Sequence, residues 1–355
     1  MNERLLKKLM NETPRMEVQD AVKLAFQSAF GCGHLLPSKE RCVTMIEAEM
    51  LQTDVSDAPV YTPIGNGLCR LNLANAQVQK LDPEWIWRMM QLTDNVVRAR
   101  PDTQARFDQA VALMDALAQK GEAPFDHASF TSYLNGYDGS VVSHTESYRQ
   151  CYHPSYRVVL RDCALLVNVL AEIWQVRTLV VFDGPCGSGK TTLAGVLGKL
   201  LDTTPVPMDD FFLPPELRTP ERFGEPGGNV HRERFEDEVL GSLLRGGDIC
   251  WQRFDCGTFE LHDRRIPRAE VAVIEGSYSH HPAFQEAYQK LNALRVFVDV
   301  DAAEQLRRIE KRDPELMQMF QSRWIPLEKN YFEAYDIRGG ADVIIQSPAN
   351  EEGRA

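Results

Sequence analysis

The most reactive stretch of the chain is Gly184-Pro185-Cys186-Gly187-Ser188-Gly189-Lys190-Thr191, with Thr192 directly after it. It satisfies the spacing GxxxxGK[ST]. Glycines let backbone N–H groups curl around phosphate oxygens with no Cβ in the way. A helix beginning at the lysine aims its positive end at the same anion. Gly184, Cys186, Gly187, Ser188, Gly189, Lys190, Thr191 and Thr192 are therefore the expected nucleotide-binding residues. Lys190 reaches for the β- and γ-phosphates and Thr191 supplies an oxygen to Mg²⁺. No NKxD follows to read guanine, and no LSGGQ points to a transporter ATPase, so ATP is the expected nucleotide.

A second set of candidates lies downstream. Thr204–Met208 ends in Asp209-Asp210-Phe211-Phe212. A carboxylate at a strand's carboxyl end can take the proton of an attacking hydroxyl while the loop holds the donor phosphate. An Asp there can equally cap the next turn. Glu275 ends another apolar run, where it could orient a metal-bound water, contact substrate or serve as a structural acid. Arg307, Arg308, Lys311 and Arg312 crowd one helical stretch, with 308 and 312 on one face. Guanidinium groups stabilise transferring phosphoryl oxygens well. The alternative is a solvated basic face paired with Glu304 and Glu310.

The elements that must position these groups change character at Arg177. Thr178–Phe182 (TLVVF) is a continuous apolar run, as in a strand buried on both faces. Strand patterns at Thr204–Met208, Val271–Ile274, Leu294–Val300 and Ala341–Ile345 alternate with helix patterns. The helices are expected at Leu193–Leu201, Arg232–Leu244, Pro282–Lys290, Ala302–Arg312 and Leu316–Tyr335. This alternation predicts an α/β domain, a P-loop-type parallel sheet with helices on both faces, over 176–350. Before it, residues 1–175 read as a mainly helical domain. Helical spacing covers Val18–Phe30, Glu40–Leu51, Pro83–Arg98, Gln104–Lys120 and Arg157–Trp174. Gly67–Asn72 reads as a short strand, 121–155 as irregular, and Trp174 as a candidate for the domain interface.

The segment from about 177 to 346 resembles the uridine kinase, phosphoribulokinase and bacterial pantothenate kinase family. The likeness rests on GPCGSGKTT, on MDDFF beside the family's Asp-x-Phe-[Tyr/His], on Val273-Ile274-Glu275-Gly276, and on Val296–Asp301 followed by Leu306–Ile309 and Arg312-Asp313. It implies ATP-dependent phosphorylation of a hydroxyl on a small metabolite. It places Asp209 as general base, and Arg308 and Arg312 on a lid that touches the phosphates. Phe212, His231 and Glu275 join Asp209 as expected acceptor contacts. Two departures weaken the match to a nucleoside. In Gly227–Phe235 the family's ribose-holding Asp falls on Val230, with His231 or Glu233 as substitutes in a shifted register. In Trp251–Phe259 no base-reading His stands in place, His262 being the nearest. The acceptor is expected to be uridine-like. Pantothenate, a sugar or a sugar phosphate are the alternatives, and an ATP-driven switch without metabolite kinase activity is the rival of another class.

The bulk numbers limit the rest. A formal net charge of −12 argues against a nucleic-acid footprint, which needs a basic face. No run reaches the ~18 apolar residues of a membrane span. The eight cysteines form no CxxC pair, the pattern of reduced thiols in a cytoplasmic protein. The expected partner is thus a small hydroxyl acceptor, without nucleic acid or membrane, and a homo-oligomer is allowed. In the first half, Phe30-Gly31-Cys32-Gly33-His34 offers one Cys and one His, too few for a zinc site. The stretch Ser143–Arg157 is dense in His, Tyr and Arg. It reads as a loop and helix start making interdomain hydrogen bonds, with an anionic or aromatic ligand as the alternative.

Overall fold

The computed structural model describes residues 1–173 and 177–349; Trp174, the interface candidate, lies outside them. The chain forms two compact units, one spanning Met1–Val167 and one starting at Asn168.

The first unit is mostly helical. Four helices, Val18–Phe30, Lys39–Gln52, Pro83–Arg98 and Thr103–Gln119, follow the spacing of their apolar residues. Glu17 and Asp20 cap the first of these reciprocally. Pro83 stands in the first turn of the third, after Asp82, whose carboxylate accepts from Glu84 N. Their apolar faces bury Leu24, Ile46, Met89, Met90, Met114 and Leu117.

The helical reading of this unit needs three corrections. Tyr156–Leu160 is not the start of a long helix but a strand, because Val158 and Val159 are β-branched and pair with a neighbour. Strands β1 (Tyr61–Gly65), β2 (Leu68–Asn72) and β3 (Tyr156–Leu160) form an antiparallel sheet in that order. The stretch 121–155 is not irregular throughout. It holds helices His127–Gly136 and Glu146–Tyr152, started by the side chains of Asp126 and Thr145. A further helix, Glu3–Glu12, opens the chain.

The second unit is built on a five-stranded parallel sheet. Its strands are β4 (Leu179–Asp183), β5 (Val206–Pro207), β8 (Ala272–Glu275), β9 (Ala293–Asp299) and β10 (Val343–Gln346), in the order β10-β9-β4-β8-β5. Every residue of β4 and β8 is buried, which explains their uninterrupted apolar sequences. The chain steps outward from β4 on one side, returns, and then crosses to the other. That leaves a crevice at the carboxyl end of β4, where open α/β sheets bind ligands. Between β5 and β8 an antiparallel hairpin is inserted, β6 (Ile249–Phe254) and β7 (Leu261–Ile266). β6 buries Ile249, Trp251 and Phe254, whereas β7 is exposed for most of its length.

Among the described residues no helix is long and apolar enough to cross a membrane, and all eight cysteines are free.

Candidate active site at the phosphate loop

The loop between β4 and the helix Lys190–Leu201 is shaped by its glycines. Gly184 has φ 143°, and a Cβ there would sit 2.3 Å from the Val298 carbonyl oxygen of β9. Gly187 and Gly189 also take positive φ, at 74° and 97°, so the backbone doubles back before the helix begins. The Ser188 hydroxyl is fully buried and has no hydrogen-bond partner among the described residues. Lys190, also buried, makes one long contact, 3.4 Å from Nζ to the Pro185 carbonyl. A buried hydroxyl and a buried ammonium with little to bond are what a loop built for a polyphosphate presents.

Buried acids surround this loop. Asp183, the last residue of β4, is fully buried. Its carboxylate accepts from Gly184 N (2.7 Å), Tyr278 N (3.2 Å), His280 N (2.8 Å) and Tyr331 Oη (2.9 Å). It thereby ties the loop to the chain after β8. Tyr278 has φ 76°, an uncommon conformation for a bulky residue, and its bond to Asp183 helps hold it there. Glu275, ending β8, accepts from Thr191 Oγ1 at 2.9 Å. Glu328, on the helix Ile325–Ala334, accepts from Cys186 N at 2.9 Å and from Ser277 Oγ at 2.7 Å. Burial pushes the carboxyls of Glu275 and Glu328 up in pKa, with Lys190 pulling each back. Burial and the neighbouring Glu328 push the Cys186 thiol up to about 12, so that thiol stays protonated.

Asp209 and Asp210 do not end a long strand. β5 is two residues long, and Met208–Phe211 forms one 3₁₀ turn at its carboxyl end. Pro207 of β5 pairs with Glu275, which places the turn beside the acid that contacts Thr191. Asp209 is exposed, and its charge reaches Glu275. Asp210 is buried and accepts from Trp251 Nε1 at 2.7 Å. Burial raises its pKa against that bond and the attraction of Arg253 and Arg264. The turn is thus clamped from β6, with Asp209 left facing outward.

The two lid arginines separate. Arg308 reaches the loop, its Nη1 donating to the carbonyls of Gly187 (3.1 Å) and Ser188 (3.0 Å). Arg312 is not brought there. It is largely exposed, pairs with Asp313 at 2.5 Å and lies 5.8 Å from the Phe320 ring. Asp313 and the Phe320 ring hold its guanidinium there, although residues 308 and 312 share a helix face.

The expected acceptor contacts are also split. Phe212 is partly buried against the core, and its backbone bridges Val230. Val230 is fully buried in that core, so its position offers no polar group to a diol. His231 pairs with Glu233 at 3.2 Å and caps the short helix after it, and Glu233 is held by Arg222. Burial lowers the His231 pKa. His262 stands exposed on β7.

Asp183, Ser277 and Glu328 escaped the sequence reading. Asp183 was within reach, as an acid directly after the apolar strand and before Gly184. Glu328 meets Cys186 across 142 positions, and no local pattern announces such a contact.

A buried strand, a glycine loop, a helix and this strand order define an α/β unit of the P-loop type. No model of a known protein family matches the chain, and no curated protein matches it. Among solved structures, the chain is similar to a possible uridine kinase from Bacillus stearothermophilus, with 21% identity, TM-score 0.38, and 48% of this chain and 88% of that chain covered. It is similar to a candidate fructose transport system kinase from Silicibacter sp. TM1040, at 22% identity and TM-score 0.36, covering 47% of this chain and 89% of that one. The shikimate kinase of Bacteroides thetaiotaomicron follows at 16% identity and TM-score 0.27, over 48% of this chain and 86% of that one. With scores this low, the fold assignment rests on the strand order and the loop.

Proposed function

We propose that the second unit is an ATP-dependent phosphotransferase that phosphorylates a hydroxyl group of a small metabolite. One observation carries the reading. The loop that would hold the donor phosphates, with Lys190 and Thr191, shares the carboxyl edge of the sheet with an exposed carboxylate, Asp209, and no described side chain is bonded to that carboxylate.

The residues fit a magnesium nucleotide. Among the described residues no three acids, histidines or cysteines cluster as a metal cage. Mg²⁺ needs no such cage, since it keeps several waters and takes one or two protein oxygens besides phosphate. Thr191 and Glu275, 2.9 Å apart, would hold it, and it would offset charge on the phosphate oxygens. The loop amides and the Ser188 hydroxyl then bind phosphate, and Lys190 neutralises it. Asp209 accepts the proton of the attacking hydroxyl, a contribution of about 10²–10⁴-fold. Arg308 fixes the loop from its outer side through two carbonyls. It is proposed as the lid arginine, with Arg312 joining only if the helix turns toward the loop.

On the acceptor, a uridine-like nucleoside is the first candidate by resemblance. A second reading has its own support. Arg253 and Arg264 lie near Asp210, and Arg218 and Arg253 near the hairpin tip at Cys256, which also feels Asp209. Cations on the acceptor side suit a sugar phosphate or a carboxylate such as pantothenate better than an uncharged nucleoside.

The test uses Asp209→Asn beside the native chain. Both are expected to bind Mg-ATP equally, and the native chain alone to form a phosphomonoester from a panel of nucleosides, pantothenate, sugars and sugar phosphates. Nucleotide binding with no product from any acceptor would favour a nucleotide-driven switch instead.

A further inference from the structure

The polar relay of the first unit is bonded within itself. Asp20, fully buried, accepts from His144 Nδ1 and from Thr145 Oγ1, each at 2.8 Å. His144 Nε2 meets Tyr156 Oη at 2.6 Å, and Gln27 joins that hydroxyl to Arg70. The expected interdomain bonds of Ser143–Arg157 are therefore replaced by bonds inside this unit. In the second unit two buried polar side chains, Gln305 and Glu328, end instead on the backbone of one loop residue, Cys186.

They come from different helices. Gln305, on Ala302–Arg312, donates from Nε2 to the Cys186 carbonyl at 2.9 Å. Glu328, on Ile325–Ala334, accepts from Cys186 N at 2.9 Å. Ile325, Glu328 and Tyr331 are the buried residues of that second helix, spaced by three and so on one face. Its two polar members both serve the loop, since Tyr331 Oη donates to Asp183, which holds Gly184 N. A buried carboxylate gives less stability than a well-packed apolar side chain of its size. Glu328 therefore asks for a use besides packing.

Peptide geometry supplies one. The C=O and N–H of a trans peptide point in opposite directions. Glu328 takes the N–H of the Pro185–Cys186 peptide, and the carbonyl of the same peptide faces Lys190 Nζ at 3.4 Å. Gln305 and Arg308 draw the carbonyls of Cys186, Gly187 and Ser188 toward the helix Ala302–Arg312. That turns the N–H groups of Gly187, Ser188 and Gly189 to the opposite side. Ser188 N bonds back to the Pro185 carbonyl at 3.1 Å. The N–H groups of Gly187 and Gly189 remain on that side, where successive amides make an anion-binding concavity. The helix lies close behind them, because a Cβ on Gly187 would stand 3.3 Å from Ile309 Cγ1.

We propose that Gln305 and Glu328 are positioning residues, which grip Cys186 by both ends of its backbone and keep the phosphate loop in its anion-binding form before a nucleotide arrives. The proposal rests on the reading of this loop as a nucleotide site. Three glycines between 184 and 189 would otherwise leave the loop many conformations. Ordering it on binding would then cost affinity.

The experiment compares the full native chain with Glu328→Ala, Glu328→Gln and Gln305→Ala. Mg-ATP binding is measured by calorimetric titration, and amide hydrogen exchange is followed without nucleotide. Glu328→Ala and Gln305→Ala are each expected to weaken Mg-ATP binding about tenfold. Both should speed exchange at residues 186–189 and leave β4 and β9 protected as in the native chain. Glu328→Gln, whose amide oxygen still accepts from Cys186 N, is expected to keep native affinity and native exchange. That rescue separates the hydrogen bond from the charge. Should Glu328→Ala fail to fold, Gln305→Ala decides. Native Mg-ATP affinity in Gln305→Ala overturns the proposal, and so does Glu328→Gln losing as much affinity as Glu328→Ala. A native chain that binds no Mg-ATP would contradict the nucleotide reading instead. Loop exchange then judges the grip by itself, upheld by faster exchange in the alanine variants and overturned by unchanged exchange.

Discussion

The two polar centres of this chain differ in their balance of charge. Around the phosphate loop one buried lysine, Lys190, faces Glu275 and Glu328, with Asp209 and Asp210 close to Glu275. In the first unit two cations, Arg70 and Lys23, face one acid, Asp20, which is saturated by donors. An excess of acid repels a bare polyphosphate and accepts one that brings a divalent cation. The balance of charge thus differs between the two centres before any ligand is named.

The largest effect expected is on turnover. Asp209→Ala should cut kcat by about 10²–10⁴-fold with little change in nucleotide affinity, measured by steady-state kinetics and nucleotide titration. Gly184→Ala comes next. Its Cβ would meet the Val298 carbonyl at 2.3 Å in a backbone conformation that L-residues avoid. A loss of roughly 1–3 kcal/mol is expected in denaturant unfolding. The charge contrast can be broken with a chelator. EDTA should weaken ATP binding by about tenfold or more. ATP binding unchanged by EDTA would contradict it.

The smallest effects are in pH dependence, and the two centres should move in opposite directions. In the first unit, burial lowers the His144 pKa from 6.5, helped by Arg70 and Lys23. Burial would raise Asp20, but the bonds from His144 and Thr145 outweigh it and hold Asp20 below 3.8. A group whose pKa falls on folding adds stability above its unfolded pKa and loses it as pH drops through the folded value. Hydrogen-exchange protection around Tyr156 should therefore decline from about pH 6.5 downward. Glu275 and Glu328 are raised from 4.5. Their contribution is present below that value and is lost as pH rises through the folded pKa. Glu328→Gln should then raise Tm at pH 8 more than at pH 5. The amide can still accept from Cys186 N and donate to Ser277 Oγ. A larger gain at pH 5 would contradict the crowding of acids around Lys190.

How much of this was legible follows from the range of each interaction. The loop, its helix and the buried strands are local patterns of composition and spacing, and the helix over Ala302–Arg312 appears with those bounds. The roles within the pattern depended on distant partners. Arg308 and Arg312 are equivalent by spacing, and only their partners separate them, the loop carbonyls for one and Asp313 with Phe320 for the other. Asp209 and Asp210 are adjacent and alike until Trp251 of the hairpin claims one of them. β3 was misread because its two valines lie in an apolar series that continues into Cys163–Leu166, so a helical period fitted both. The relay from Asp20 to Arg70 spans four separated stretches. Its density of His, Tyr and Arg was visible, but not which residues would bond.

The central claim is phosphoryl transfer with Asp209 as the base. Its most direct test is single-turnover ADP formation from Mg-ATP, with and without each acceptor of the panel, in the native chain and in Asp209→Ala. The account requires ADP formation that one acceptor class accelerates and that collapses in Asp209→Ala while nucleotide stays bound. ADP formation indifferent to every acceptor, or equal in the two proteins, would contradict it.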